Sequence, residues 1–599
     1  MKNILILFFS IIVLTSCHPD NTEVFVEAES FDQTGGWVID QQFMDQMGSS
    51  FLLAHGMGIP VNDATTTINF PQTGKYMVWV RTRDWVATWR APGAPGKFGL
   101  LINNEPLETT FGIEGEDWHW QYGGVALIKS GDNKISLHDL TGFEGRCDAI
   151  LFTTDTNFVP PDSGKELEEF RIKLSGISQE IINAGNFDLV VVGGGIAGMC
   201  TAISGARLGV KVALIQNRPV LGGNNSSEVR VWLGGKTNFE PYPRIGDIVK
   251  ELEPAKRAHY GAENKAVLYE ADKRETKIRT ENNISLFLNY HANKVEMDSK
   301  EIKAVIAQDI RSGQRYRFAG KWFADCTGHG SLGFLAGADF DITLKEHMGR
   351  SNLFNVVDVG MPDPFPRCPW ALDLSDKPFP GRGNNPGIYG GIGLKALGSW
   401  FWESGFDHDP IEKGEYIRDW NFRAIYGAWD CLKNVDKMYP NYKLGWVAYI
   451  SGTRESRRLL GDIILTGEDV LSGKKFNDGC VPASWSIDLH LPYEPYSKGF
   501  EENAFISKDF HKQYKVPYWI PYRSLYSRNI PNLFMAGRDI SVTHEALGVV
   551  RVMRTTGMMG EVVGMAVYIC KKYQVNPRDV YETYLAEFKT LLKKDVEKQ

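Results

Sequence analysis

Six residues constrain the fold of this chain more than any others: Gly193-Gly194-Gly195-Ile196-Ala197-Gly198. They follow Phe187-Asp188-Leu189-Val190-Val191-Val192, a nearly continuous apolar run that reads as a parallel strand buried on both faces. A helical run to Leu208 comes next, and Val210–Ile215 reads as a second strand. Gly193, Gly195 and Gly198 stand in GxGxxG order, with Ala202 four residues further on. Between a strand and a helix, such glycines permit a tight turn, close approach to a pyrophosphate, and close helix–strand packing. The phosphates sit at the helix N-terminus, beside Ile196 and Ala197, where unpaired N–H groups and the dipole favour negative charge. The expectation is a dinucleotide-binding βαβ unit. The position ending the second strand normally carries a carboxylate for the ribose hydroxyls. In this chain it is Gln216, whose amide still accepts from a hydroxyl.

Three further segments, with a weaker fourth, point to which dinucleotide it is. Gln216-Asn217 leads into Arg218-Pro219-Val220-Leu221-Gly222-Gly223-Asn224. This resembles the Arg-Pro-x-x-Gly-Gly segment of flavoproteins of the glutathione-reductase structural family, where it lies along FAD. Phe323-Ala324-Asp325-Cys326-Thr327-Gly328-His329-Gly330 resembles that family's Ala-Thr-Gly strand end. Asn532-Leu533-Phe534-Met535-Ala536-Gly537-Arg538-Asp539 resembles its C-terminal FAD motif, with Arg538 where an Asp is common. His291-Ala292-Asn293-Lys294-Val295 is placed like the segment whose Val backbone meets adenine. The resemblance implies FAD rather than NAD, held in an α/β Rossmann-like domain of the glutathione-reductase type. Besides the glycine loop it implies contacts from Gln216, Asn217, Arg218, Gly222, Gly223, Asn224, Val295, Thr327, Gly328, Gly537, Arg538 and Asp539.

The resemblance narrows at Gly452-Thr453-Arg454-Glu455-Ser456-Arg457-Arg458, at Ile520-Pro521-Tyr522-Arg523, and from Thr543-His544-Glu545-Ala546 through Arg551-Val552-Met553. These segments resemble a bacterial FAD-dependent oxidoreductase family often associated with polysaccharide breakdown, over about residues 186–590.

At the other end of the chain, Lys2 precedes an Ile4–Leu14 run that is apolar apart from Ser10. It is too short to span a bilayer comfortably and fits the h-region of a signal peptide. Leu14-Thr15-Ser16-Cys17 resembles a bacterial lipoprotein signal, which implies cleavage before Cys17 and lipidation of its sulfur. The expected mature protein is exported and tethered by acyl chains to a bacterial membrane, on the periplasmic or cell-surface face of the outer membrane. A net charge of −7 without a long basic run argues against nucleic acid and polybasic membrane binding. The eight cysteines form no CxxC pair, and Cys326 to His329 has no second pair to complete a zinc site. Asp407-His408-Asp409 beside Pro410 reads as a solvated turn, and no metal is expected.

Residues 23–155 read as an all-β sandwich. Thr67–Phe70, Tyr76–Arg81, Gly99–Ile102, Val125–Ile128 and Lys134–Leu137 are short strands between turn residues. The opening Val24–Glu29 and the closing Asn133–His138 and Asp148–Phe152 resemble galactose-binding-like, carbohydrate-binding jelly rolls. Trp85, Trp89, Trp118 and Trp120 form either a sugar platform or part of a core, and the sandwich either binds glycan or packs against the enzyme. Residues 156–185 read as a linker, with Pro160-Pro161-Asp162-Ser163-Gly164 followed by a helix from Lys165 to Ile182. The FAD domain is expected over 186–599, with a substrate-binding insertion at about 340–520.

In this fold the last FAD strand, Leu533–Ala536, feeds a helix that points at the flavin ring, for which Thr555–Tyr573 is the candidate. Gly557, Gly560 and Gly564 near one face permit close packing against flavin or sheet. Ser541–Arg554 is then expected to line the isoalloxazine pocket. Oxidising a sugar alcohol takes hydride loss to flavin and proton loss to a base, for which His544 is the first candidate and Glu545 its neighbour. Arg551 suits anionic reduced flavin or a carboxylate, and Arg454, Asp488 and His490 are further candidates. The leading reading is oxidation of a saccharide or glycoside, with a possible coupled elimination or hydrolysis. The alternatives are flavin-linked reduction of an unsaturated small acid, and a non-enzymatic glycan-binding surface lipoprotein. The electron acceptor is not named by the sequence.

Overall fold

Polar and apolar residues do not alternate in Leu189-Val190-Val191-Val192 because the strand is covered on both faces, and the first three of these residues are fully buried. The computed structural model describes residues 21–257, 260–383, 393–496 and 503–596. Cys17 and the apolar run before it lie outside the described residues. In chain order, the flavin domain is built on β1 (Ile182–Val192), α1 (Ile196–Arg207), β2 (Val212–Gln216), β3 (Ile284–Leu288), β4 (Tyr290–Asp298), β5 (Glu301–Asp309) and β6 (Arg315–Asp325). After an insertion containing α2 (Gly414–Asp430) it resumes with β7 (Leu533–Met535), α3 (His544–Val550) and α4 (Met553–Tyr573). The sheet order is β3-β2-β1-β6-β5-β4, with β7 also beside β6. Strands β3, β2, β1, β6 and β7 run parallel, so their C-terminal ends share one edge, where ligands bind in open α/β sheets.

Helix α4 packs on α1 through its glycines. A Cβ on Gly560 would stand 2.2 Å from the Ala197 carbonyl oxygen, and one on Gly564 would stand 2.7 Å from Gly205 N. The sequence offered flavin or sheet as the partner of these glycines. The partner is α1, because a groove without side chains lets two helices approach backbone to backbone.

The sandwich strands are longer than the sequence signals, as in Ala64–Phe70, Gly74–Thr82 and His119–Ile128. One four-stranded sheet contains Glu23–Glu27 and Ala149–Thr153, and the other contains Phe98–Ile102 and Gly131–Asp139. Val26, Tyr76, Val80, Ile150 and Phe152 meet Phe98, Leu100 and Ile135 between them.

The sandwich is not a separate bead. Trp85, Val86 and Phe143 join the aromatic core of the insertion, with Trp370, Trp420 and Tyr426. Trp85 is fully buried and its Nε1 donates to Phe143 O. Trp89 donates to the Tyr416 hydroxyl and Trp118 to Glu415, both in the insertion. Trp120 is buried against Leu167 and Leu151. All four tryptophans are therefore used in packing, which decides against the platform. Buried ion pairs cross the same boundary, Arg146 to Asp419 at 3.0 Å and Arg418 to Asp40.

The linker expectation is also corrected. Asp162 accepts from the Trp120 amide at 2.8 Å, and the helix is Gly164–Leu174, with Ile182 already in β1. Arg171 ties that helix to Asp148 and Glu27 of the sandwich, so the segment is docked. The seven described cysteines are all free and buried. Among the described residues no helix is long and apolar enough to cross a membrane.

Candidate active site

One cavity of about 510 Å³ opens at the C-terminal edge of the sheet and continues into the insertion. Its floor is the glycine loop. Gly193 has φ +104°, and a Cβ there would strike the Cys326 carbonyl at 2.3 Å, so the turn tolerates only glycine. Gly195 differs: a Cβ on it would meet only Gly223 Cα, at 3.8 Å. The protein leaves that space open at the N-terminus of α1, as an anion cradle requires. Gly193, Gly195, Ile196, Ala197, Gln216, Asn217, Arg218, Gly222, Gly223, Asn224, Thr327, Gly328, Gly537 and Arg538 all line the cavity. Gly198 does not. Its Cβ would stand 1.8 Å from Gly193 O, which makes it the glycine of helix–strand packing.

The cavity holds uncompensated positive charge. Arg350 and Arg538 line it, and each has a buried Nε without a hydrogen-bond partner among the described residues. Burial pushes Arg538 down to about 10; burial and the Arg538 cation push Arg350 down to about 9. Burial and the same two arginines hold the His329 imidazole well below its ordinary range. Its Nε2 lies 3.3 Å from Arg538 Nη2. Two buried cations in a cavity that also holds a helix N-terminus suit a pyrophosphate, so these residues fit FAD.

Besides Gly198, two expected cofactor contacts are corrected. Val295 does not line the cavity; it pairs with Val305 in the β4–β5 ladder, and Tyr290, His291 and Ala292 form the wall instead. The bend from β3 into β4 occurs at Asn289, so only the start of β4 reaches the sheet edge. Asp539 is fully buried and accepts from the Gly328 amide at 3.1 Å. Burial and the Asp325 charge raise its carboxyl well above the usual range, beneath the Thr327-Gly328 turn.

The Ser541–Arg554 expectation also changes. Of this segment only Arg551, Val552 and Met553 line the cavity. His544 is the first residue of α3 and its Nδ1 is held 2.9 Å from Glu455, a buried carboxylate also bound by Arg458. Glu545 is half exposed and pairs with Lys512 at 3.1 Å. Neither reaches the cavity, because Thr543 caps α3 with its first turn directed at Glu455.

Asp488, His490, Arg454 and Arg551 do come together there. His490 bridges two carboxylates, with Nδ1 2.9 Å from Glu403 and Nε2 3.3 Å from Asp488. Arg551 reaches Asp488 at 3.3 Å, and Arg454 reaches Glu403 at 2.9 Å. Burial opposes ionisation of Asp488, yet Arg551, His490 and the Trp485 indole hold its carboxyl well below the usual range. Burial likewise opposes ionisation of Glu403, and Arg454 and His490 hold it down to about 2. Trp400 packs 4.6 Å from the His490 ring, and Trp485 and Tyr260 line the same end. The sequence marked none of Arg350, Trp400, Glu403 or Tyr260, since no motif spacing links them. Asp407, His408 and Asp409 bind Glu346 N, Asn503 and the 411–412 amides, as turn residues do.

Residues 188–362 and 392–592 match the family described as FAD dependent oxidoreductase. The chain belongs to that family. It is an oxidoreductase, and its cofactor is FAD. No curated protein matches significantly. Among solved structures, a family 35 carbohydrate binding module from Clostridium thermocellum is similar at 18% identity, over 22% of this chain and 97% of its own, with TM-score 0.18. The flavin-dependent monooxygenase PieE is similar at 14% identity, over 29% of this chain and only 36% of its own, with TM-score 0.20. The FrdA subunit of E. coli quinol fumarate reductase is similar at 11% identity, over 68% of this chain and 74% of its own, with TM-score 0.30.

Proposed function

We propose that this oxidoreductase is exported and oxidises a hydroxyl of a saccharide or glycoside. The observation that supports this reading is the continuity of one cavity from the glycine loop to Asp488 and His490, walled there by Trp400 and Trp485. Aromatic faces pack against the C–H faces of a sugar ring while charged groups take its hydroxyls. Oxidising a secondary alcohol removes a hydride from carbon and a proton from oxygen. Bound FAD supplies the hydride acceptor. Asp488 accepts a hydrogen bond from the substrate hydroxyl and stays ionised beside Arg551. His490, in its neutral form with Nδ1–H donated to Glu403, takes the proton at Nε2, and the imidazolium so formed is held between Glu403 and Asp488. The ketone so formed acidifies the neighbouring C–H, which permits elimination or hydrolysis at a glycosidic bond.

Arg454 and Arg551 each already face a carboxylate, which leaves little spare charge for a small-acid substrate. Anaerobic mixing with mono- and disaccharides, uronates and glycosides tests the reading by flavin bleaching. Bleaching by at least one sugar class is expected. Reoxidation of chemically reduced enzyme by unsaturated acids, with no bleaching by sugars, sinks it in favour of the reductase.

A further inference from the structure

One wall of the cavity comes from outside the flavin domain. Gln41, Gln42, Phe43, Asp45 and Gln46 line it, and they follow the sandwich strand Val38–Asp40. The turn is pinned on both sides. Asp45 meets His291 Nε2 at 2.7 Å. Gln42 donates to Tyr449 O at 2.9 Å and accepts from the Ser451 amide at 2.8 Å. His291 and Ser451 themselves line the cavity. His291 stands at the start of β4, directly after the Asn289 bend that ends β3, the neighbour of β2, and in a dinucleotide fold the end of the second strand marks the nucleotide side.

Gln41 is left over. It is 2% exposed, lines the cavity, and its Nε2 has no hydrogen-bond partner among the described residues. A buried amide donor kept unpaired is unfavourable unless a ligand supplies the acceptor. The ADP half of FAD is acceptor-rich along its whole length. We propose that Gln41 donates from Nε2 to an oxygen of the AMP part of FAD, which ADP carries and FMN lacks, so that the N-terminal sandwich is a structural part of the cofactor site.

ADP carries that part without the flavin and is the probe. Full-length protein stripped of flavin is titrated with ADP, FMN and FAD. Gln41→Ala is expected to weaken ADP and FAD by the same factor, about tenfold for one hydrogen bond, and to leave FMN unchanged. Gln41→Glu weakens both further, because a carboxylate then faces phosphates. Gln41→Met keeps the side-chain length without the donor and behaves like Gln41→Ala, should the smaller residue perturb folding. The melting temperature of the flavin-free variants stays at or above that of the wild type, since an unpaired donor has been removed. Wild-type affinity for ADP in folded Gln41→Ala and Gln41→Met overturns the proposal. So does loss of FMN or FAD affinity without loss of ADP affinity.

Discussion

Gln216 Oε1 accepts the amide proton of Gly194 at 2.8 Å, so the residue at the end of β2 closes the glycine loop. Its Nε2 donates to Val220 O at 3.1 Å, which commits both ends of the amide to the backbone. One lone pair of Oε1 and one N–H of Nε2 remain for a ligand hydroxyl, and Gln216 lines the cavity. The missing carboxylate has a structural reason, since Asp lacks the donor that Val220 requires.

Gln216→Ala should leave the Gly194 N–H and the Val220 carbonyl unpaired in a buried loop. The expected cost is about 2–4 kcal/mol, from two lost bonds with their desolvation. Thermal melting of the holoprotein and flavin release on dilution both report it. Wild-type values in both assays would mean that the loop is set by other contacts.

His490→Ala should retain bound FAD and its visible spectrum, yet slow flavin reduction by about 10²–10⁴-fold with the true substrate. His544→Ala should keep the rate and lose only stability, because it frees Glu455. If the two variants exchange these behaviours, the base lies on α3 and the reading of the pocket is wrong.

Glu403 gives acid sensitivity a location. Arg454 and His490 hold its carboxyl down to about 2 in the folded protein, against an ordinary value of 4.5. A depressed acid contributes stability that is fully present above pH 4.5 and is lost as pH falls towards 2. The contribution is on the order of 3 kcal/mol. The stability gap between wild type and Glu403→Gln in urea should therefore narrow from pH 7 to pH 2. A constant gap would show that the ionised carboxylate contributes nothing.

Arg146 is fully buried and bonds both Asp419 and Glu415 across the boundary between sandwich and insertion. Arg146→Ala strands these carboxylates and should cost about 3–5 kcal/mol. A chain begun near Lys165 also bares Trp370 and Tyr426 and should be recovered aggregated and without flavin. A soluble, yellow fragment would count against the shared core.

The export reading predicts that Cys17→Ser accumulates as unprocessed precursor or leaves the membrane fraction. Normal maturation and unchanged membrane association of that variant would dismiss the lipid anchor.

The glycine loop was legible because a strand, a turn and a helix lie within thirty residues or so and their chemistry is local. The Arg218–Asn224 segment follows directly from β2 and was legible for the same reason. His544 misled because adjacency to the last strand says nothing about Glu455, which captures it from 89 positions away. Val295 misled by a few residues, since the bend at Asn289 decides which end of β4 meets the ligand. Trp85, Trp89 and Trp118 stayed undecided because the surface that covers them belongs to residues about 300 positions downstream, while Trp120 is covered by Leu167 of the docked helix. Gln41 carried no signal at all, being an ordinary polar residue in a turn.

The walls of the cavity leave the ribosome at widely separated moments. Gln41 emerges before the glycine loop, and Val552 and Thr556 emerge after both. A nascent chain therefore has no complete flavin pocket until Thr556 has been made, and a premature stop before that residue leaves one wall of the pocket missing.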